Sequence, residues 1–74
     1  MNLREVLARN LRHLRRAKGL SQEVLAAEAE ISREYLSKLE KAANSASIDV
    51  IEGLAAALKL EPAQLLDKPK PGRS

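Results

Sequence analysis

Charged and hydroxyl side chains form one row in a short segment near the middle of the chain. At about 100° per residue, as in an α-helix, the row falls within an arc of roughly 140°. Its members are Arg33, Glu34, Ser37, Lys38 and Lys41. Arginine and lysine donate to guanine, glutamate accepts from cytosine and serine does either, so these side-chain types can read base edges in a DNA major groove. The alternative is an ordinary solvated face, on which Glu34 and Lys38 form an ion pair.

The chain lacks the residue combinations that catalysis and metal binding require. It contains no cysteine and one histidine, His13, which has no partner at a metal-ligand spacing. No nucleophile is paired with a base, and no glycine-rich loop could hold a phosphate. His13 is interpreted as a solvated helix residue. We therefore expect neither an enzyme nor a cofactor, and no small-molecule ligand is evident.

A helix must carry the polar row, and the surrounding sequence predicts two helices joined by a tight turn. Ser21 and Ser32, eleven residues apart, are both favourable N-cap residues. The spacing of apolar residues then predicts helices over residues 22–29 and 33–41. Leu36 and Leu39 lie on the buried side of the second helix, opposite the polar row.

Three further helices are predicted around this pair. The first follows Asn2 and ends at Gly19, and its apolar stripe consists of Leu3, Val6, Leu7, Leu11 and Leu14. Ser47 caps a helix over residues 48–58, and Pro62 opens a short fifth helix that ends near residue 66. The predicted fold class is all-α: a compact five-helix domain over residues 1–66, followed by a flexible polar tail over residues 67–74.

Composition and charge agree with a single small helical domain. Of the 74 residues, 45% are hydrophobic but only 1% are aromatic, which suits helix packing better than sheets. Residues 1–20 carry a net charge of +5, residues 21–66 of −4 and residues 67–74 of +2, and a basic surface of this kind can steer a polyanion. The chain has no cysteine, no signal sequence and no apolar run of membrane-spanning length, which predicts a cytoplasmic protein without membrane association.

The segment from Gln22 to Glu40 carries an extended motif. It reads Q-x-x-L-A-x-x-A-x-I-S-x-x-x-L-S-x-L-E and resembles the helix-turn-helix of the phage repressor and Cro family, also called the xenobiotic-response-element type. Its second part, REYLSKLE, is further similar to the small controller proteins of restriction-modification systems. The resemblance covers roughly residues 3–66 and implies a repressor/Cro-like fold whose third helix lies in the major groove.

The same resemblance implies which side chains contact DNA. The base-facing positions are Arg33, Glu34, Ser37 and Lys38. The positions near the DNA backbone are Gln22, Arg15, Lys41, Asn44 and Tyr35. Two of these have structural alternatives, since Arg15 matches a residue held by Glu40 and Tyr35 also fits the edge of the core.

The chain departs from the family pattern at three places. Glu30 occupies the turn where the family usually has glycine, so it either takes a left-handed conformation at a cost of roughly 1 kcal/mol or the turn relaxes differently. Ala42 also stands where glycine is common. Residues 44–46 replace a run that is often basic, which removes phosphate contacts and lowers the expected affinity.

Surplus apolar residues remain near the C-terminal end of the domain. They are Val50, Ala57, Leu60, Leu65 and Leu66. They either complete a fuller core or form a twofold homodimer interface, which would stabilise so short a chain. The prediction is a transcriptional regulator that binds an inverted repeat in double-stranded DNA as a homodimer. The alternative is a protein-interaction module, such as an antitoxin or adaptor, that uses the same fold to bind a protein partner.

Overall fold

The computed structural model describes residues 2–68 and consists of helices joined by short connections. Its elements are α1 (Leu3–Ala17), α2 (Gln22–Ala29), α3 (Arg33–Glu40), α4 (Ile48–Leu58) and α5 (Pro62–Leu65). Residues 2–68 contain no strand, so the all-α prediction is confirmed. The predicted tail over residues 67–74 lies largely outside the described residues.

Side-chain caps begin the helices where the sequence predicts them. Ser21, Ser32 and Ser47 each accept a hydrogen bond from a backbone N–H three residues later, at 3.1, 3.0 and 3.1 Å. Asn2 and Glu5 exchange two such bonds and form a capping box at the start of α1. Each bond satisfies a backbone donor that has no partner inside the helix, which explains why these helix starts are predictable.

Left-handed backbone conformations end several helices. Gly19 follows α1 with φ of 70°, as expected of a glycine at this position. Glu30 ends α2 with φ of 62° and ψ of 40°, so the first of the two alternatives for this turn is confirmed. Ala42 and Lys59 also have φ of 60°. Three of these left-handed positions are therefore occupied by residues other than glycine, at a conformational cost.

The core lies where the five helices meet. Helix α1 packs against α3 and α5, α2 against α3 and α4, and α4 against α5. The largest fully buried side chains are Val6, Leu11, Leu25, Leu36, Leu39, Leu54, Leu58 and Leu65. The apolar spacing predicts that Leu3 belongs to the buried stripe of α1, but Leu3 is the first residue of that helix and its side chain is 57% exposed.

Candidate nucleic-acid interface

The polar row of α3 lies on the outside of the molecule. Arg33, Glu34 and Lys38 are exposed and Ser37 is half-buried. On the opposite side of the helix, Leu36 and Leu39 are 0% and 1% exposed. Helix α3 therefore presents a face of hydrogen-bonding groups while its apolar face anchors it to the core.

A network of hydrogen bonds holds the C-terminal end of α3. The Arg15 guanidinium donates to the Glu40 carboxylate through two nitrogens, Nε to Oε2 at 2.7 Å and Nη2 to Oε1 at 3.1 Å. The Gln22 amide donates to the same Oε1 at 3.0 Å. Glu40 thus ties α3 to α1 and to the first residue of α2, which sets the orientation of the polar face.

Opposing effects set the ionisation of this pair. Burial by itself raises the pKa of the Glu40 carboxyl, but hydrogen bonds from Arg15 and Gln22, together with the charges of Arg15 and Arg16, outweigh it and lower that pKa below its ordinary value. The hydrogen bond to Glu40 raises the pKa of Arg15 above its ordinary value. Both groups are therefore charged at neutral pH, and each stabilises the charge of the other.

The internal bonds leave Gln22 and Arg15 with limited capacity for other partners. Arg15 also donates through Nη1 to the Leu20 carbonyl at 2.8 Å, and its side chain is 11% exposed. The predicted pairing of Arg15 with Glu40 is thus confirmed. Gln22 is half-buried, and its amide retains one N–H after the bond to Glu40, since an amide group carries two.

The loop after α3 carries the other predicted backbone-contacting residues. Lys41 and Asn44 are exposed. Tyr35 is half-buried and packs against the core, as the core-edge alternative expects. Its hydroxyl donates to the Ser45 carbonyl at 3.0 Å, so Tyr35 fastens the loop to α3.

Two residues that the sequence analysis did not single out position these elements. Arg12 donates to the Glu40 carbonyl, and its spacing of three residues from Arg15 places both arginines on one side of α1. Asn10 is buried, and its amide donates to the carbonyls of Leu65 and Asp67 at 2.8 and 2.9 Å. Helical spacing also puts Asn10 among the leucines of the α1 stripe, and this position is the sequence feature that could have indicated its burial.

The predicted homodimer surface needs one correction. Leu65 is 0% exposed, because α5 turns this side chain into the core and Asn10 binds its carbonyl. It cannot contact a second subunit in this fold. The other members, which are Val50, Ala57, Leu60 and Leu66, are half-buried and pack against the core.

The described residues hold no sign of a metal site or membrane span. Residues 2–68 contain no group of three or more histidine, cysteine or acidic side chains that could hold a metal ion. Of the helices in the described part of the chain, none combines the length and apolar character that crossing a membrane requires.

Comparison with known proteins places this geometry in a family. The family model described as "Helix-turn-helix domain" matches residues 6–67, which is most of the chain. This protein belongs to the helix-turn-helix family. The family is of the xenobiotic-response-element type, so the resemblance of the motif between Gln22 and Glu40 is confirmed.

Individual helix-turn-helix relatives share both sequence and fold with the chain. The control protein C.BamHI of Bacillus amyloliquefaciens is 37% identical over 67 residues, which cover 89% of this chain and 83% of that protein. The crystal structure of the restriction-modification controller protein C.AhdI from Aeromonas hydrophila matches with a TM-score of 0.82 and 40% identity, covering 84% of this chain and 94% of that one.

A third helix-turn-helix relative is the hypothetical transcription factor NHTF from Neisseria. Its crystal structure matches with a TM-score of 0.88 and 43% identity, covering 92% of this chain and 78% of that one. The relatives are named as controller proteins and as a transcription factor. The chain is accordingly a member of a family of transcription regulators.

Proposed function

We propose that this protein is a sequence-specific regulator of transcription that binds an inverted repeat in double-stranded DNA as a homodimer. The observation that carries the proposal is the outer face of α3, where exposed hydrogen-bonding groups stand on a helix whose end is held by Arg15, Gln22 and Glu40. A rigid support is what base readout needs, because hydrogen bonds to base edges discriminate only when the donors are held in place.

Within this proposal, some residues contact the bases and others contact the DNA backbone. The base-reading residues are Arg33, Glu34, Ser37 and Lys38. The backbone-contacting residues are Gln22, Lys41, Asn44, Arg15 and Tyr35. Gln22 uses its remaining N–H at the N-terminal end of α2, where the helix dipole also attracts a phosphate. Arg15 and Tyr35 contribute mainly by holding α3 and the loop that carries Asn44.

The proposed homodimer places two copies of α3 in successive major grooves. The half-sites of the inverted repeat would then be separated by about one helical turn of DNA, roughly 34 Å. Such a regulator works in the compartment that holds the DNA, which is consistent with the predicted cytoplasmic location.

The test compares a base-reading residue with a backbone-contacting one on duplex DNA. Selection from random duplexes should return an inverted repeat. On that site Arg33→Ala should cost about 1–3 kcal/mol and relax the preference at one base pair. Lys41→Ala should weaken all duplexes alike and reduce the slope of log K against log salt by about one.

The outcomes separate the proposal from the protein-interaction alternative. If Arg33→Ala changed neither affinity nor preference, the assignment of the reading face would be wrong. Equally weak binding to every duplex, together with a stable complex with another protein, would favour an antitoxin or adaptor.

A further inference from the structure

An open groove lies where α1 and α4 end, beside α2. Its volume is about 350 Å³, which falls within the roughly 300–1,000 Å³ that is usual for small-molecule sites. Its lining consists of Lys18, Leu20, Glu28, Ala57 and Lys59. These residues come from the ends of α1 and α4, from the connection after α1 and from α2. The groove is therefore assembled only when the chain folds.

The lining combines an apolar floor with charged side chains. Leu20 and Ala57 are half-buried and pack against the core. Lys18, Glu28 and Lys59 are exposed. An apolar surface bordered by a few charged groups is the usual composition of a site for a small polar ligand.

The three charged groups of the groove are not paired with one another. Across residues 2–68, the one salt bridge joins Arg15 to Glu40, and it involves no residue of the groove. The two ammonium groups and the carboxylate are therefore free to bind a ligand that carries the opposite charges.

The ends of α1 and α4 do not need these lysines to satisfy their backbone. The N–H of Leu20 donates to the Arg15 carbonyl at 3.1 Å, and the N–H of Leu60 donates to the Ala55 carbonyl at 2.8 Å. Carbonyls in the last turn of each helix are thus already bonded by the chain itself. A lysine near a helix C-terminus is favourable, but no backbone acceptor of these turns depends on it.

Lys59 takes a backbone conformation that costs free energy for a lysine. It is the C-cap residue of α4, with φ of 60° and ψ of 45°, a left-handed conformation that glycine adopts without strain. Non-glycine residues in this conformation are concentrated at functional sites. The strained residue here carries one of the unpaired charges of the groove, which favours a binding role for that charge.

We propose that this groove binds an acidic amino acid, a small molecule with two carboxylates and one ammonium group on a short aliphatic chain. The lining carries two positive charges and one negative charge, and such a ligand carries the complement. Lys18 and Lys59 each donate to one carboxylate, and Glu28 accepts from the ammonium group. The aliphatic chain covers the floor of the groove. No residue of the groove belongs to the face assigned to DNA, so this is a second binding activity.

The first experiment is a titration of the protein with L-glutamate at constant ionic strength, followed by the amide NMR signals. Signals of the groove residues should shift and saturate with a dissociation constant on the order of 1 mM, as expected of a small ligand in an open site. Glutarate lacks the ammonium group and 4-aminobutyrate lacks one carboxylate. Each should bind about threefold to tenfold more weakly. Shifts that do not saturate, or equal binding of all three compounds, would overturn the site.

The second experiment uses a variant that should fold better and bind less. Lys59→Gly relieves the left-handed conformation and should raise the melting temperature, yet it should weaken L-glutamate about threefold to tenfold. Glu30→Gly is the matched control, because Glu30 has a similar conformation, with φ of 62° and ψ of 40°, and does not line the groove. Lys68→Ala removes the same charge from an exposed position outside the groove. Both controls should bind as wild type does.

The third experiment tests the contact between Glu28 and the ammonium group. Glu28→Gln should weaken L-glutamate but not glutarate, because glutarate has no ammonium group to lose the carboxylate contact. Equal losses for both compounds, or unchanged affinity for L-glutamate in Lys59→Gly, would contradict the proposal. Arg33→Ala should bind L-glutamate as wild type does, so this activity and DNA recognition are tested separately.

Discussion

Arg15 on α1 and Glu40 at the end of α3 form a two-bonded ion pair whose side chains are 11% and 4% exposed. Two hydrogen bonds between a planar guanidinium and a carboxylate fix the relative orientation of the two groups as well as the distance between them. The pair joins residues 25 positions apart in the chain, and it therefore orients α3 by tertiary contact.

Removing one member of this pair should destabilise the fold. Glu40→Ala leaves the Arg15 guanidinium buried without its anion, and we expect a loss of about 3 kcal/mol in the free energy of unfolding. Urea denaturation measures the loss. Glu28→Ala is the control, because Glu28 is exposed on α2 and should change stability by no more than about 0.5 kcal/mol. If the two variants lost equal amounts of unfolding free energy, the ion pair would make no specific contribution to the stability of the fold.

The lowered pKa of Glu40 predicts how stability depends on pH. Because the folded state depresses this pKa, the contribution of Glu40 is fully present above the unfolded-state value of about 4.3 and is lost as the pH falls through the lower folded value. The folded state raises the pKa of Arg15, so the contribution of Arg15 to stability is lost only at strongly alkaline pH. Between neutral pH and acid, wild type should lose stability more steeply than Glu40→Gln. If the unfolding free energies of wild type and Glu40→Gln fell in parallel with pH, the lowered pKa of Glu40 would be contradicted.

Glycine substitutions on α2 should have opposite effects at two neighbouring glutamates. Glu30 has φ of 62°, so Glu30→Gly relieves a left-handed conformation and should stabilise the protein by about 0.5–1 kcal/mol. Glu28→Gly, inside the helix, should destabilise it by about the same amount. Thermal unfolding of the two variants, which have the same chemical change, measures the difference. A loss of stability in both would mean that the turn is not strained.

The buried amide of Asn10 should be needed to hold α5. Asn10→Asp keeps the shape but replaces donor atoms with acceptors, which then face the carbonyls of Leu65 and Asp67. We expect a loss of about 1–3 kcal/mol in unfolding free energy. Faster amide hydrogen exchange in α5 should accompany the loss. Arg9→Ala, at the exposed neighbouring position, should leave both quantities unchanged.

The hydroxyl of Tyr35 should support the loop after α3 without reading bases. Its single proton is already donated to the Ser45 carbonyl, so Tyr35→Phe should lower unfolding free energy by about 0.5–1 kcal/mol. Binding to all duplexes should weaken slightly and alike, because the loop that carries Asn44 is less well held. Titrations on the selected site and on single-base variants of it measure this. A changed preference at one base pair would instead show a direct base contact.

The sequence by itself determined the helices and the face that α3 exposes. The predicted ranges 22–29 and 48–58 match α2 and α4, since N-caps and apolar spacing act within a few residues. The ends were less certain: α3 stops at Glu40, with Lys41 as its C-cap, one residue before the predicted end. Fraying of the last turn makes such boundaries hard to locate from local pattern.

Tertiary structure alone decided which apolar and polar residues of the helices are buried. Leu3 and Leu65 are both leucines at the ends of predicted helices, yet one is 57% exposed and the other 0%. Asn10 is buried because it meets the carbonyl of Leu65, 55 residues away along the chain. Helical periodicity specifies the side of a helix to which a residue belongs, whereas burial depends on what distant segments bring to that side, and no local pattern encodes that arrangement.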